Sequence, residues 1–134
     1  MTNFKLTIVT PDGKKIVDEC HILNVVTTGG ALGILAHHLP LLAVIEISHL
    51  NYKKIVDNQE EKVELAIHGG ILNVKEDEVI VLAEAFETKD EIDYERANRS
   101  KVRAEERLNS DDENIDIKRA ELSLKRALSR LSLR

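Results

Sequence analysis

Apolar and polar residues alternate in short runs through the first two-thirds of the chain, and the spacing becomes helical near Glu87. Phe4, Leu6 and Ile8 fall on one face of an extended strand, with Lys5 and Thr7 on the other. Val63, Leu65 and Ile67 repeat the pattern around Glu64 and Ala66, and the runs at 71–74 and 79–82 are short and rich in β-branched residues. Turn signals separate these runs: Pro11-Asp12-Gly13, Gly29-Gly30, Asp57-Asn58, Gly69-Gly70 and Glu76-Asp77. All six glycines and both prolines lie before residue 71. The pattern predicts a β + α chain whose first segment, 1–87, is an antiparallel β-sandwich.

The second segment, 88–134, has no glycine or proline to interrupt helices and is expected to form an antiparallel two-helix hairpin. The first helix is expected from about Asp90, acting as its N-cap, to Asn109, with a thin apolar stripe of Tyr94, Ala97, Ala104 and Leu108. A break at Asn109-Ser110-Asp111-Asp112 precedes a second helix, expected from Glu113 or Asn114 to near the C-terminus. Its stripe is Ile117, Ala120, Leu124, Ala127, Leu128 and Leu131. Alanines let two helices approach closely but bury little area. At about 25 cal/mol per Å² such a seam holds far more weakly than a leucine seam. The hairpin is therefore expected to be a moving part and the sandwich a fixed anchor.

Composition narrows the functional class. The 134 residues are 43% hydrophobic but only 3% aromatic and lack Trp, so the core is built from Ile, Leu, Val and Ala. A net charge of -5 and the scarcity of stacking aromatics argue against nucleic acid as a partner. Cys20 stands alone and fits an ordinary buried thiol rather than a disulfide or metal ligand. The N-terminus does not read as a secretory signal, and no run is long and apolar enough for a membrane helix, so membrane association is expected only through a protein partner. Gly29-Gly30-Ala31-Leu32-Gly33 lies in a sheet region without a phosphate-loop Lys, and His37-His38 reads as surface or interface rather than metal-binding. No hydrolytic triad can be assembled, so no catalytic residue is expected.

Charge is unevenly distributed. Residues 1–87 carry 7 basic and 13 acidic side chains, whereas residues 88–134 carry 12 and 11. A projection at about 100° per residue groups Arg119, Arg126 and Arg130 on one side of the second helix. Taken singly, these arginines and the Asp93–Arg96 spacing fit a solvated basic face and a local ion pair. Taken together, a closed hairpin would bring Arg96 and Arg103 near Arg126 and Arg130. Clustered guanidinium groups call for an anion such as phosphate, with Glu87 and Asp93 as acceptors beside it.

Several segments carry a family resemblance. Thr10-Pro11-Asp12-Gly13 looks like an opening turn, and residues 30–42, from Gly30 to Leu42, are similar to a Gly-Glu-x-Gly-Ile-Leu-Pro-Gly-His-x-Pro-Leu-Leu signature. Residues 66–74, residues 79–84 and the Ile92-Asp93-Tyr94-Glu95-Arg96-Ala97 motif continue the match in order and spacing. The chain resembles the epsilon subunit of bacterial F-type ATP synthases, with Ala31 in place of an acidic residue and Ala36-His37 in place of Pro-Gly. The resemblance implies a non-catalytic central-stalk subunit at the cytoplasmic face of the membrane. Its sandwich would dock on the gamma subunit and c-ring, and its hairpin would fold down or extend toward the alpha and beta subunits. The extended form inhibits ATP hydrolysis in that family, and ATP favours the folded form in members that bind it. By motif match the ATP contacts would be Glu87, Asp93, Arg96, Arg126 and Arg130, with no metal site and no required cofactor. An enzyme and a stand-alone adaptor or nucleic-acid binder using the basic helix are the rival classes.

Overall fold

The computed structural model describes residues 2–134 and places eight strands before two helices. The strands are β1 (Phe4–Val9), β2 (Lys15–Cys20), β3 (Ile22–Thr27), β4 (Gly30–Leu35), β5 (Leu41–Val56), β6 (Gln59–Lys75), β7 (Glu78–Ala83) and β8 (Phe86–Thr88). The long strands β5 and β6 form one antiparallel hairpin around Asp57-Asn58, both residues adopting positive φ as the tight turn requires. The other strands extend from this ribbon in the order β2-β1-β7-β6-β5-β3-β4, and β8 pairs with the first half of β6. Every pairing is antiparallel except β1 with β7, which is parallel. Strand alternation in the sequence identifies faces, not partners, and so could not distinguish that pair.

The curled sheet closes on a single core. Phe4, Leu6, Ile8, Leu23, Ile34, Leu50, Leu65, Leu72 and Val81 are all buried within it. Tyr52 donates its hydroxyl to Asp18 Oδ2 at 3.0 Å, and Lys54 Nζ donates to the same atom at 2.8 Å, tying β5 to β2 at the sheet edge. Gly70 bends β6 where it leaves β8 and joins β7. Its φ is +154°, and a Cβ there would lie 2.3 Å from the Leu82 carbonyl oxygen, so only glycine fits. Cys20 is fully buried and its thiol is pushed up to about 12 by desolvation, which leaves it inert.

A short 3-10 turn, Lys89–Glu91, links the sandwich to α1 (Tyr94–Leu108) and α2 (Ile117–Leu131). Contrary to the expectation from sequence, Asp90 does not cap the first helix. Thr88 and Glu91 close their own capping box, and Ile92 is extended (φ -78°, ψ 128°) with its side chain buried beside Ala66 and Leu133. The helix therefore restarts at Asp93, whose carboxylate accepts from the Arg96 backbone N–H at 3.0 Å. Likewise α2 begins three residues later than Asn114, capped by Asp116 through the Arg119 N–H at 3.1 Å. The helices meet through Ala97, Ala104, Ala120 and Ala127, all buried. Ile117 and Leu128, expected in the buried stripe, are 60% and 46% exposed, because alanine-to-alanine contact brings the helices together along a seam too narrow to cover its flanks.

Candidate functional site

Helix α2 has two covered sides. One faces α1 through Ala120 and Ala127, and the other rests on β5 and β6, where Ser129 Oγ donates to the Ser48 carbonyl and Leu133 packs on Ala66. The turn leading into α1 is pinned from the sandwich. Lys14 Nζ donates to Glu91 Oε2 at 2.8 Å and to the Phe86 carbonyl at 2.9 Å, and lies 4.6 Å from the Phe86 ring centre. With Lys14 and Thr88 both donating to it, the Glu91 carboxyl is held down to about 2.

Between the covered sides of α2 runs its arginine edge, which faces the equivalent edge of α1 across a groove. The groove has two joined parts that share Ser100 and Arg130. The first, about 320 Å³, is lined by Glu87, Glu91, Asp93, Arg96 and Ala97 besides the shared pair. The second, about 370 Å³, adds Arg103, Arg107, Arg119, Arg126 and Ser123 and contains no carboxylate. The groove thus has an acceptor-bearing end and a purely cationic end. Arg130 Nε donates to Glu87 Oε1 at 2.5 Å where the two ends meet. Among the described residues, Arg103, Arg107, Arg119 and Arg126 make no ion pair within 4.0 Å. Like charges so placed repel unless an anion lies between them, and guanidinium forks match phosphate oxygens bidentately.

Glu87, Asp93, Arg96 and Arg130, singled out from sequence, line the first part of the groove, and Arg126 lines the second beside Arg130. Asp93 and Arg96 form no side-chain ion pair: the Asp93 carboxylate meets the Arg96 backbone instead. Sequence reasoning missed Ser100 and Ser123, although they sit four residues after Arg96 and Arg119 and so share their helix edges. It also missed Arg107, Glu91 and His68. His68 on β6 is buried with Nε2 3.9 Å from Glu87 Oε1. Desolvation lowers its pKa to about 4, assisted by Arg130 and Arg126 and opposed by Glu87.

A second surface feature lies on the sandwich. Val44, Ile71 and Leu82 occupy paired positions on β5, β6 and β7 and are 54%, 43% and 50% exposed. With Pro11, Ile47 and Leu122 they line an open hollow of about 720 Å³. Contiguous exposed apolar surface of this kind is characteristic of interaction sites in general.

The family model for the ATP synthase delta/epsilon chain β-sandwich domain matches residues 3–89, and the model for its long α-helix domain matches residues 90–133. The chain belongs to the ATP synthase delta/epsilon chain family. It is 44% identical to the ATP synthase epsilon chain of Bacillus licheniformis over 133 residues, covering 99% of this chain and 98% of that one. The epsilon chain of Halalkalibacterium halodurans is also 44% identical, over 135 residues and with the same coverage. Among solved structures, a chain of the Euglena gracilis mitochondrial ATP synthase superposes with a TM-score of 0.83 at 21% identity, over 98% of this chain and 81% of that one. The resemblance drawn from the motifs therefore extends over the whole epsilon-type chain. No helix among the described residues is long and apolar enough to cross a membrane.

Proposed function

We propose that this epsilon-type chain is a non-catalytic regulatory subunit of the ATP synthase central stalk, and that its hairpin groove binds ATP. The observation that carries the reading is the cationic end of the groove: five arginines from two helices, without a carboxylate among them, beside an end that bears three. Arg126 and Arg130 would take the phosphates, aided by Arg96, Arg103 and Arg119. Glu87 and Asp93 would accept hydrogen bonds from ribose hydroxyls or a base amino group. Bound triphosphate would cancel the repulsion that otherwise opposes closing α2 on α1, so ATP would favour the folded form.

The alternative state follows from the weakness of the attachment. An alanine seam, Leu133 packed on Ala66 and Ile92, two serine contacts to β5 and one partly exposed ion pair hold α2 down. Released, the same arginine edge would meet acidic surface on the alpha and beta subunits and obstruct ATP hydrolysis. The apolar row Val44, Ile71 and Leu82 fits the gamma subunit. The exposed residues Ala31 and Leu39 fit contacts to the c-ring at the cytoplasmic face of the membrane. The test is reconstitution of the enzyme with the full chain or with residues 1–88. Inhibition of hydrolysis lifted by ATP is expected only with the full chain, and equal hydrolysis in both preparations would defeat the regulatory reading.

A further inference from the structure

Two buried side-chain nitrogens lack a hydrogen-bond partner among the described residues, His21 Nδ1 and His68 Nε2. His21 has its other nitrogen 3.2 Å from Glu60, far from the groove's residues in the fold. His68 instead stands under the junction of hairpin and sandwich. Its Nε2 is 3.9 Å from Glu87 Oε1, the same oxygen that receives Arg130 Nε. Arg126 lines both the hollow that contains His68 and the cationic end of the groove. The charged groups that act on the imidazole are Glu87 from β8 and Arg126 and Arg130 from α2, while Glu84, from the turn before β8, lines the same hollow. The β5 partner of His68, Ile47, carries no charge.

We propose that His68 is a member of the anion site, becoming the partner of Glu87 when a phosphorylated ligand draws Arg130 and Arg126 toward itself. This rests on the nucleotide reading given above. The Glu87 carboxylate needs to shift by about 1 Å to reach ordinary hydrogen-bond distance from Nε2. A phosphate chain that draws Arg130 away frees that carboxylate to turn to the imidazole, and it cancels the two guanidinium charges that add to burial in keeping the imidazole neutral. The imidazole then gains a proton from solvent, forming a charge-assisted pair with Glu87, so nucleotide binding and proton uptake are linked. His68 is a positioning residue in this scheme: it holds Glu87, and Glu87 meets the ligand.

Calorimetry of the full chain with ATP at pH 5.5, in buffers of low and high ionisation enthalpy, reads the uptake directly. A terminal phosphate itself titrates near pH 6, so the diagnostic quantity is the difference in uptake between the parent chain and His68→Gln, whose amide keeps a neutral donor. If binding lifts the His68 pKa to the pH of the experiment or above, the parent chain takes up more protons than His68→Gln by roughly half a proton or more. Equal uptake with saturable binding in both chains overturns the role of His68 and leaves the nucleotide reading standing. Absence of saturable binding in the parent chain overturns both. A second measurement needs no substitution. The His68 ring-proton signal, followed through pH with and without ATP, moves its midpoint upward under the proposal, and an unmoved midpoint contradicts it.

Discussion

Arg130 on α2 and Glu87 on β8 are joined by a 2.5 Å hydrogen bond across 43 residues of sequence, and this is the one ion pair among the described residues that ties the second helix to the sandwich. Both side chains are only 28–29% exposed, so the pair is worth more than one on open surface, about 1 kcal/mol. Glu87→Gln removes the charge while keeping the shape. Amide hydrogen exchange across α2 is expected to accelerate several-fold, with β1 and β7 unchanged. Uniform acceleration through the core would show that the pair stabilises the whole fold rather than the docked helix.

Ala127 is fully buried against α1. Ala127→Leu forces extra volume into a seam built for close approach, at a cost of about 1–3 kcal/mol. The hairpin is expected to open while the sandwich stays folded, giving a larger hydrodynamic radius with the sheet signal intact in circular dichroism. An unchanged radius would mean that the seam has slack.

His37 occupies a position where the family pattern has glycine, and it adopts φ +64°. For a residue with a Cβ this left-handed conformation is strained by about 1 kcal/mol. Its imidazole lies 3.3 Å from Asp77, which is itself at φ +61° on the neighbouring turn. His37→Gly is expected to relieve the strain and raise thermal stability by a few tenths to about 1 kcal/mol, offset in part by glycine's greater freedom when unfolded. A lowered melting temperature would show that the contact with Asp77 outweighs the strain.

The alternation of Phe4, Leu6 and Ile8, and the change of period after Glu87, made the β-then-α order legible because each reflects which face is buried. The arginine edge was legible for the same reason, since Arg119, Arg126 and Arg130 repeat at helical spacing. The helix starts were not. Asp90 and Asp93 are both good caps, and the choice was made by Ile92, whose burial against Ala66 and Leu133 is a tertiary fact. His68 left no periodic trace either, because its partners come from β8 and α2 and no local spacing encodes them.

The pH dependence of folding follows from His68. Unfolded, its imidazole takes up a proton near pH 6.5, but folded only near about 4, so the folded state binds fewer protons between those values. Its contribution is complete above about pH 6.5 and declines as pH falls toward 4, by up to roughly 3 kcal/mol. Urea denaturation from pH 7 to 4 is expected to show this decline in the parent chain and a flatter profile in His68→Gln. Parallel profiles would refute it.

The cationic groove is proposed to hold a nucleoside triphosphate, and the regulatory role depends on that binding more than on any other contact. Isothermal calorimetry of the full chain with ATP, against Arg126→Ala combined with Arg130→Ala, tests this most directly, with circular dichroism confirming that both proteins are equally helical. Each lost charge-assisted contact is worth about 1.5–3 kcal/mol, so the doubly substituted chain is expected to bind at least about 100-fold more weakly. Matching affinities for the two proteins would contradict the assignment of the groove.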